Sequence, residues 1–123
     1  MPEPKVIPIY TTKGDAEIFL VYPYLYNRLG EWVGWVARNK DVYSVLGYYV
    51  GALSRDPRIL RKRSVDPQPR QIPPPKPQRV YPPATVPLAP LMRELSYDTV
   101  DVLMEEPERL HPLDSGELRE DMD

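Results

Sequence analysis

With 123 residues, 17 of them proline and none cysteine, the chain has room for one ordinary domain at most and excludes disulfide staples and thiolate metal sites. The net charge of −2 argues against a strong general pull toward nucleic acid or membrane. It is unevenly divided, because residues 1–70 hold 11 Lys+Arg against 7 Asp+Glu while residues 71–123 hold 5 against 11, a split that favours a tail drawn back onto the first half by salt-screened attraction.

The opening, Met1–Tyr10, carries three prolines and no apolar run of signal-peptide length, and the mostly apolar stretch Ile18–Tyr26 is far shorter than the ~20 residues a spanning helix needs. The expectation is a cytoplasmic protein without a membrane segment. Ten of the twelve aromatic residues fall between Tyr10 and Tyr49, so the folding core belongs to the first half. About 60 residues bury only ~60% of their unfolded surface, which makes self-association or packing of the tail onto the core the expected source of added stability.

From Ile9 a repeat with a period near 17 sets in. Tyr10, Tyr26 and Tyr43 correspond, as do the polar residues Thr11, Asn27 and Ser44 and the glycines Gly14, Gly30 and Gly47. A polar side chain at the first turn position can bond its own backbone two residues on. Glycine at the fourth position can take the left-handed conformation that closes a type I turn with a G1 bulge. Each copy therefore predicts a β-hairpin, with strands rich in Trp, Val and Tyr. Strict alternation along Trp32–Val36 places Trp32, Gly34 and Val36 on one face and Val33 and Trp35 on the other. Val33-Gly34 and Val50-Gly51 correspond, whereas the first copy is degenerate there, with Glu17-Ile18. Gly34 and Gly51 inside strands point to a close approach of backbones or rings around an axis rather than to a ligand contact. A fourth copy starts at Ile59-Leu60 and stops in the basic run Arg61-Lys62-Arg63.

Proline then dominates, with 10 of the 24 residues from Pro67 to Pro90, and predicts an extended polyproline II segment. Pro74-Pro75-Lys76-Pro77 is a PxxP element, which in eukaryotic signalling would suggest an SH3 ligand; the leading reading is a stiff spacer or a strap over the aromatic core. Beyond it, Ser96 as N-cap, Asp98 in the first turn, a Leu95–Val100 staple and Pro107 as stop predict one short helix over Ser96–Glu106, too short to stand alone. Gly116–Asp123 reads as a disordered acidic tail. The division is a hairpin module over 1–64, a proline-rich linker or strap over 65–94, and a short amphipathic helix with acidic tail over 95–123.

The stretches "LYNRLGEWVGWV" and "VYSVLGYYVGAL", followed in order by a basic run, a proline-rich segment and "LSYDTVDVL", resemble the bacterial 4-fold β-flower family over roughly residues 7–104. The resemblance implies an all-β fold of short hairpins around a pseudo-fourfold axis. It implies no assigned activity.

Enzyme signatures are nearly absent. His111 is the single histidine and lies in the acidic tail; Glu105, Glu106 and Glu108 form a solvated acidic face; no glycine loop fits a phosphate. No metal, cofactor or catalytic residue is expected. Tyr10, Tyr26, Trp32, Trp35, Tyr43 and Tyr49 are expected as core or interface aromatics. The leading expectation is a non-catalytic structural or protein-interaction module whose partner is another protein or a second copy. The alternative is single-stranded nucleic-acid or polyanion binding, with aromatics stacking beside the basic patch of Arg58, Arg61, Lys62 and Arg63.

Overall fold

A computed structural model of the protein describes residues 5–64 and 68–113. The expectations for Gly116–Asp123 lie outside the described residues. Eight strands, β1 (Ile7–Tyr10), β2 (Ala16–Val21), β3 (Tyr24–Tyr26), β4 (Trp32–Val36), β5 (Asp41–Ser44), β6 (Tyr49–Leu53), β7 (Ile59–Lys62) and β8 (Thr99–Asp101), form one antiparallel sheet in sequence order. A four-residue helix α1 (Val102–Glu105) and a 3-10 turn (Pro107–Arg109) follow. The all-β expectation with one short C-terminal helix is met at this level. The sheet curls into a half-barrel, and Tyr10 N–H, at the end of β1, donates to Pro57 O in the β6–β7 turn; Val36 N–H to Pro23 O and Leu53 N–H to Lys40 O extend the β3–β4 and β5–β6 ladders by one rung.

The three predicted hairpins share one hydrogen-bonding scheme. The amides of Gly14, Gly30 and Gly47 donate to the carbonyls of Thr11, Asn27 and Ser44, and those three residues' own amides donate to Asp15, Glu31 and Tyr48. The side-chain oxygens of Thr11, Asn27 and Ser44 accept from the amides of Asp15, Glu31 and Tyr48. All three glycines are left-handed, with φ of 95°, 82° and 91°, as the type I turn with a G1 bulge demands.

Each hairpin also carries a bulge at the same place. Tyr10 pairs Ala16, Tyr26 pairs Trp32 and Tyr43 pairs Tyr49, while Ile9 pairs Ile18, Leu25 pairs Gly34 and Val42 pairs Gly51. One residue is skipped each time: Glu17, Val33 or Val50. This overturns the strict alternation expected along β4, because a bulge turns the strand and redirects its side chains. Val33 and Val36 both enter the aliphatic core, while Trp32 and Trp35 both join the aromatic cluster. The degenerate first copy is explained too. Its bulge residue is Glu17, half-exposed and 4.0 Å from Arg28, where the other copies bury valine. Gly34 and Gly51 are required by backbone approach, as expected: a Cβ would stand 2.5 Å from Tyr43 O at Gly34 and 2.7 Å from Leu60 O at Gly51.

The interior is aliphatic rather than aromatic. Ile9, Leu25, Val42 and Ile59, one from each successive copy, lie at its centre with Ile18, Val33, Val50 and Val100, and the C-terminal segment adds Val102, Leu103 and Leu110. Each such side chain contributes about 1.5–3 kcal/mol when fully buried. The aromatics form an outer layer in which Tyr26, Trp32 and Val45 pack with Tyr24 and Trp35.

The fourth copy does not stop in the basic run. Ile59–Lys62 is strand β7, and its hairpin partner is β8, delivered after an excursion of more than thirty residues: Leu60 pairs Asp101, Arg61 pairs Val100 and Lys62 pairs Thr99. The expected Ser96–Glu106 helix is accordingly corrected. Thr99-Val100-Asp101 is strand, because β7 otherwise presents unpaired backbone groups and because β-branched Thr99 and Val100 suit a ladder. Helix survives only over Val102–Glu105. Ser96 closes a turn, accepting from Thr99 N–H, and Asp101 stands at the N-cap position without a side-chain cap bond.

Candidate functional site

Between β7 and β8 the described residues 68–98 form neither helix nor strand, yet they follow the hairpin turns closely. Gln71 N–H donates to Gly47 O at 2.9 Å, and Val80 N–H donates to Gly30 O at 3.3 Å. Ala89 lies against Gly14, its Cβ 3.7 Å from where a Cβ of residue 14 would be. The strap thus meets the three hairpins in the order third, second, first, through residues 71, 80 and 89, nine apart each time, before Asp98 accepts from Arg63 N–H one step beyond the Lys62–Thr99 pair.

The clasps use more than backbone. Arg70 Nε donates to Leu46 O at 2.6 Å, and Arg79, nine residues on, donates from Nε and Nη2 to Leu29 O. Leu46 and Leu29 are the residues just before the turn glycines. Tyr10 Oη donates to Pro87 O at 2.7 Å and Tyr26 Oη to Gln78 O at 3.3 Å, again with acceptors nine apart. The first hairpin breaks the pattern, since Leu88 replaces the clasping arginine and is almost wholly exposed. A Cβ at Gly30 or Gly47 would overlap the carbonyl oxygen of Val80 or Gln71. Those glycines therefore serve twice, once for the turn and once for the approach of the strap.

The expected aromatics fall on both sides of this arrangement. Tyr10 and Tyr26 are buried and reach the strap. Trp32 donates Nε1–H to Gly34 O at 2.7 Å. Trp35 stacks on Tyr43 with centroids 4.7 Å apart, and Tyr43 meets Tyr49 edge-on. Burial raises the pKa of Tyr26, Tyr43 and Tyr49, reinforced by Tyr24 at Tyr26 and by Asp41 at the other two.

The basic run is divided. Arg61 is paired with Glu106, Arg63 with Glu105 at 3.3 Å and Lys62 with Asp98 at 3.5 Å. Glu106 also meets Arg109; burial raises its pKa, but the two arginines outweigh that and hold it below the usual range. Arg58 is not on the surface at all. Its side chain is 1% exposed and donates to both oxygens of Asp56, to Thr12 Oγ1 at 3.0 Å and to Arg93 O at 2.8 Å. Thr12 in turn donates from its hydroxyl and its amide to Asp101 Oδ2. The cluster ties the first hairpin, the β6–β7 turn, the strap and the start of α1 together beneath a cleft of about 360 Å³ walled by Leu60, Leu91 and Leu95. Burial pushes the Asp56 carboxyl up, but hydrogen bonds from Arg58, Ser54 and the Arg93 amide prevail and lower it to about 2.

Reading of the sequence missed the buried role of Arg58 and the strand at Thr99–Asp101. It also missed the nine-residue period of the strap, which is visible as Arg70-Gln71-Ile72-Pro73-Pro74 followed by Arg79-Val80-Tyr81-Pro82-Pro83. Among the described residues, no cluster of His, Cys, Asp or Glu could hold a metal ion, and no helix is long and apolar enough to cross a membrane. Neither a family model, a curated protein nor a solved structure matches the chain.

Proposed function

We propose that the protein is a non-catalytic structural and protein-interaction module of the cytoplasm, built as a 4-fold β-flower: four hairpin petals around a pseudo-fourfold axis, belted by the proline-rich strap. Three petals with one hydrogen-bonding scheme, a fourth assembled from β7 and β8, and strap contacts on the three turns at residues 71, 80 and 89, two steps of nine, support the fourfold reading. One observation carries the interaction role. The strap turns Ile72, Tyr81, Leu88, Leu91 and Tyr97 outward, each at least 90% exposed, although apolar burial is the main source of folding stability. Large apolar side chains that the fastened strap keeps out of the core offer contact area to another protein. The polyanion reading lacks comparable support, since Arg58 is buried and Arg61, Lys62 and Arg63 each meet a carboxylate.

The test is quantitative capture of proteins from the source cell with the full chain and with a variant bearing serine at all five exposed positions. The proposal expects a defined set of proteins held by the native chain and lost by the variant. Identical sets would overturn it.

A further inference from the structure

The strap is fastened at intervals, and what lies between the fastenings is itself repeated. Residues 70–71 are held at the third hairpin and 78–80 at the second, while 87 and 89 meet the first. Between these points lie two arches, Ile72–Pro77 and Tyr81–Val86, whose prolines Pro73, Pro74 and Pro82 are half-buried against the module, the first arch being held also at Pro75 O by the Tyr24 hydroxyl at 3.3 Å. Each arch starts with a large apolar side chain directed to solvent, Ile72 at 92% and Tyr81 at 90% exposure, and continues with two prolines: Ile72-Pro73-Pro74 and Tyr81-Pro82-Pro83. Proline removes the backbone donor and holds φ near the polyproline II value. An arch fastened at both ends therefore has little conformational freedom left to lose on binding.

Charge narrows the class of partner. From Gln68 to Met92 the strap carries Arg70, Lys76 and Arg79 and not a single Asp or Glu. Arg70 and Arg79 are engaged by main-chain carbonyls, and among the described residues no ion pair with a carboxylate forms at either. Each arch is thus an apolar-proline segment preceded by an arginine whose charge no described carboxylate meets.

We propose that the two arches are equivalent docking epitopes, of the form Arg-x-[Ile/Tyr]-Pro-Pro, for a partner domain that reads polyproline II in an aromatic-lined groove with an acidic rim. This deepens the interaction role above by naming the surface and the chemistry of its partner, and it rests on that role. Recognition of this kind uses the preformed extended backbone, with pockets for the projecting side chains. The arches are nine residues apart, about 28 Å along an extended polyproline path, enough for two small domains to dock side by side or for one bivalent partner to gain avidity.

The experiment titrates the full chain with recombinant domains of the three polyproline-reading classes, SH3, WW and EVH1, by calorimetry. It also compares Ile72→Ser, Tyr81→Ser and the double variant after their melting temperatures are shown to match the native chain. The expected result is saturable binding by at least one class at two domains per chain, falling to one per chain in either single variant. In the double variant, affinity falls by about tenfold or more, and binding to the native chain weakens with added salt. No binding by any class, or binding unaffected in the double variant, overturns the proposal. So does light scattering that shows the chain forming a dimer dependent on Ile72 and Tyr81, which would assign the arches to a second copy. If cellular proteins are lost with the five-serine variant while none of the three domain classes binds, the interaction role stands and this assignment of its partner fails.

Discussion

The hairpin module and the strap solve the same problem with opposite means. In the module, stability is local and dense: successive strands pair, bulges repeat and aliphatic side chains fill a common interior. In the strap, residues 68–98 have no ladder of their own and are held by a few bonds to hairpin turns. Both nevertheless record one repeat, at about 17 residues in the module and nine in the strap. A hairpin must go out and come back, whereas an extended chain only has to pass from one turn to the next. The comparison shows that a proline-rich segment can be as strictly positioned as a strand when its few hydrogen-bonding groups are spaced to match a scaffold.

The sharpest way to break this comparison is to cut the point where the two regions are tied. Arg58→Ala leaves the half-buried Asp56 beside the strap without its cation, and Asp101 loses the Arg58–Thr12 link. Breaking a fully buried pair from one side costs about 3–5 kcal/mol; Asp56 keeps some contact with water, so chemical denaturation is expected to show a loss at the lower end, about 3 kcal/mol. A loss below about 1 kcal/mol would mean the strap and module are not coupled through this cluster.

Glycine substitutions separate turn from strap. Alanine at any of the three turn glycines meets the left-handed penalty of about 1–2 kcal/mol. Gly30→Ala and Gly47→Ala must also displace the strap carbonyls of Val80 and Gln71, whereas Gly14→Ala finds ordinary contact with Ala89. The expected order is Gly30 and Gly47 clearly worse than Gly14. Equal losses would show that the strap does not press on the turns.

Much of the module was legible in its sequence because its signals are local. Polar residues and glycines at fixed offsets define turns, and Thr11–Gly14, Asn27–Gly30 and Ser44–Gly47 adopt the expected geometry. The bulge was not legible, since nothing in Trp32–Val36 distinguishes alternation from a skipped Val33 until the opposing strand is known. β8 was hidden for the same reason. Ser96, Asp98 and Val100 are a sound helix start in isolation, and only the unpaired edge of β7 turns Thr99–Asp101 into a strand. Arg58 sits in a run of arginines that reads as surface, and its partners Thr12, Asp56 and Arg93 are scattered along the chain. The strap's period was present in the sequence, but its meaning requires knowing where the turns stand.

Acid sharpens the comparison further. The Asp56 carboxyl is lowered to about 2 in the folded protein, so the unfolded chain takes up its proton first as pH falls. The stability it contributes, about 2 kcal/mol, is complete above the ordinary carboxylate range and is lost between about pH 5 and pH 2. Asp56→Asn is expected to flatten that part of the stability profile; an unchanged profile would contradict the lowered pKa. A smaller effect is expected at the hydroxyl clasps. Tyr10→Phe and Tyr26→Phe each remove one hydrogen bond to a strap carbonyl, about 1 kcal/mol, with the larger loss at Tyr10, whose bond is shorter.

Amide hydrogen exchange followed by NMR along residues 68–81 tests the keyed strap most directly. Protected amides are expected at Gln71 and Val80, which donate to Gly47 and Gly30, beside rapidly exchanging amides at Ile72 and Tyr81. Uniformly rapid exchange across the segment, or protection at Ile72 and Tyr81 instead, would contradict the keyed strap.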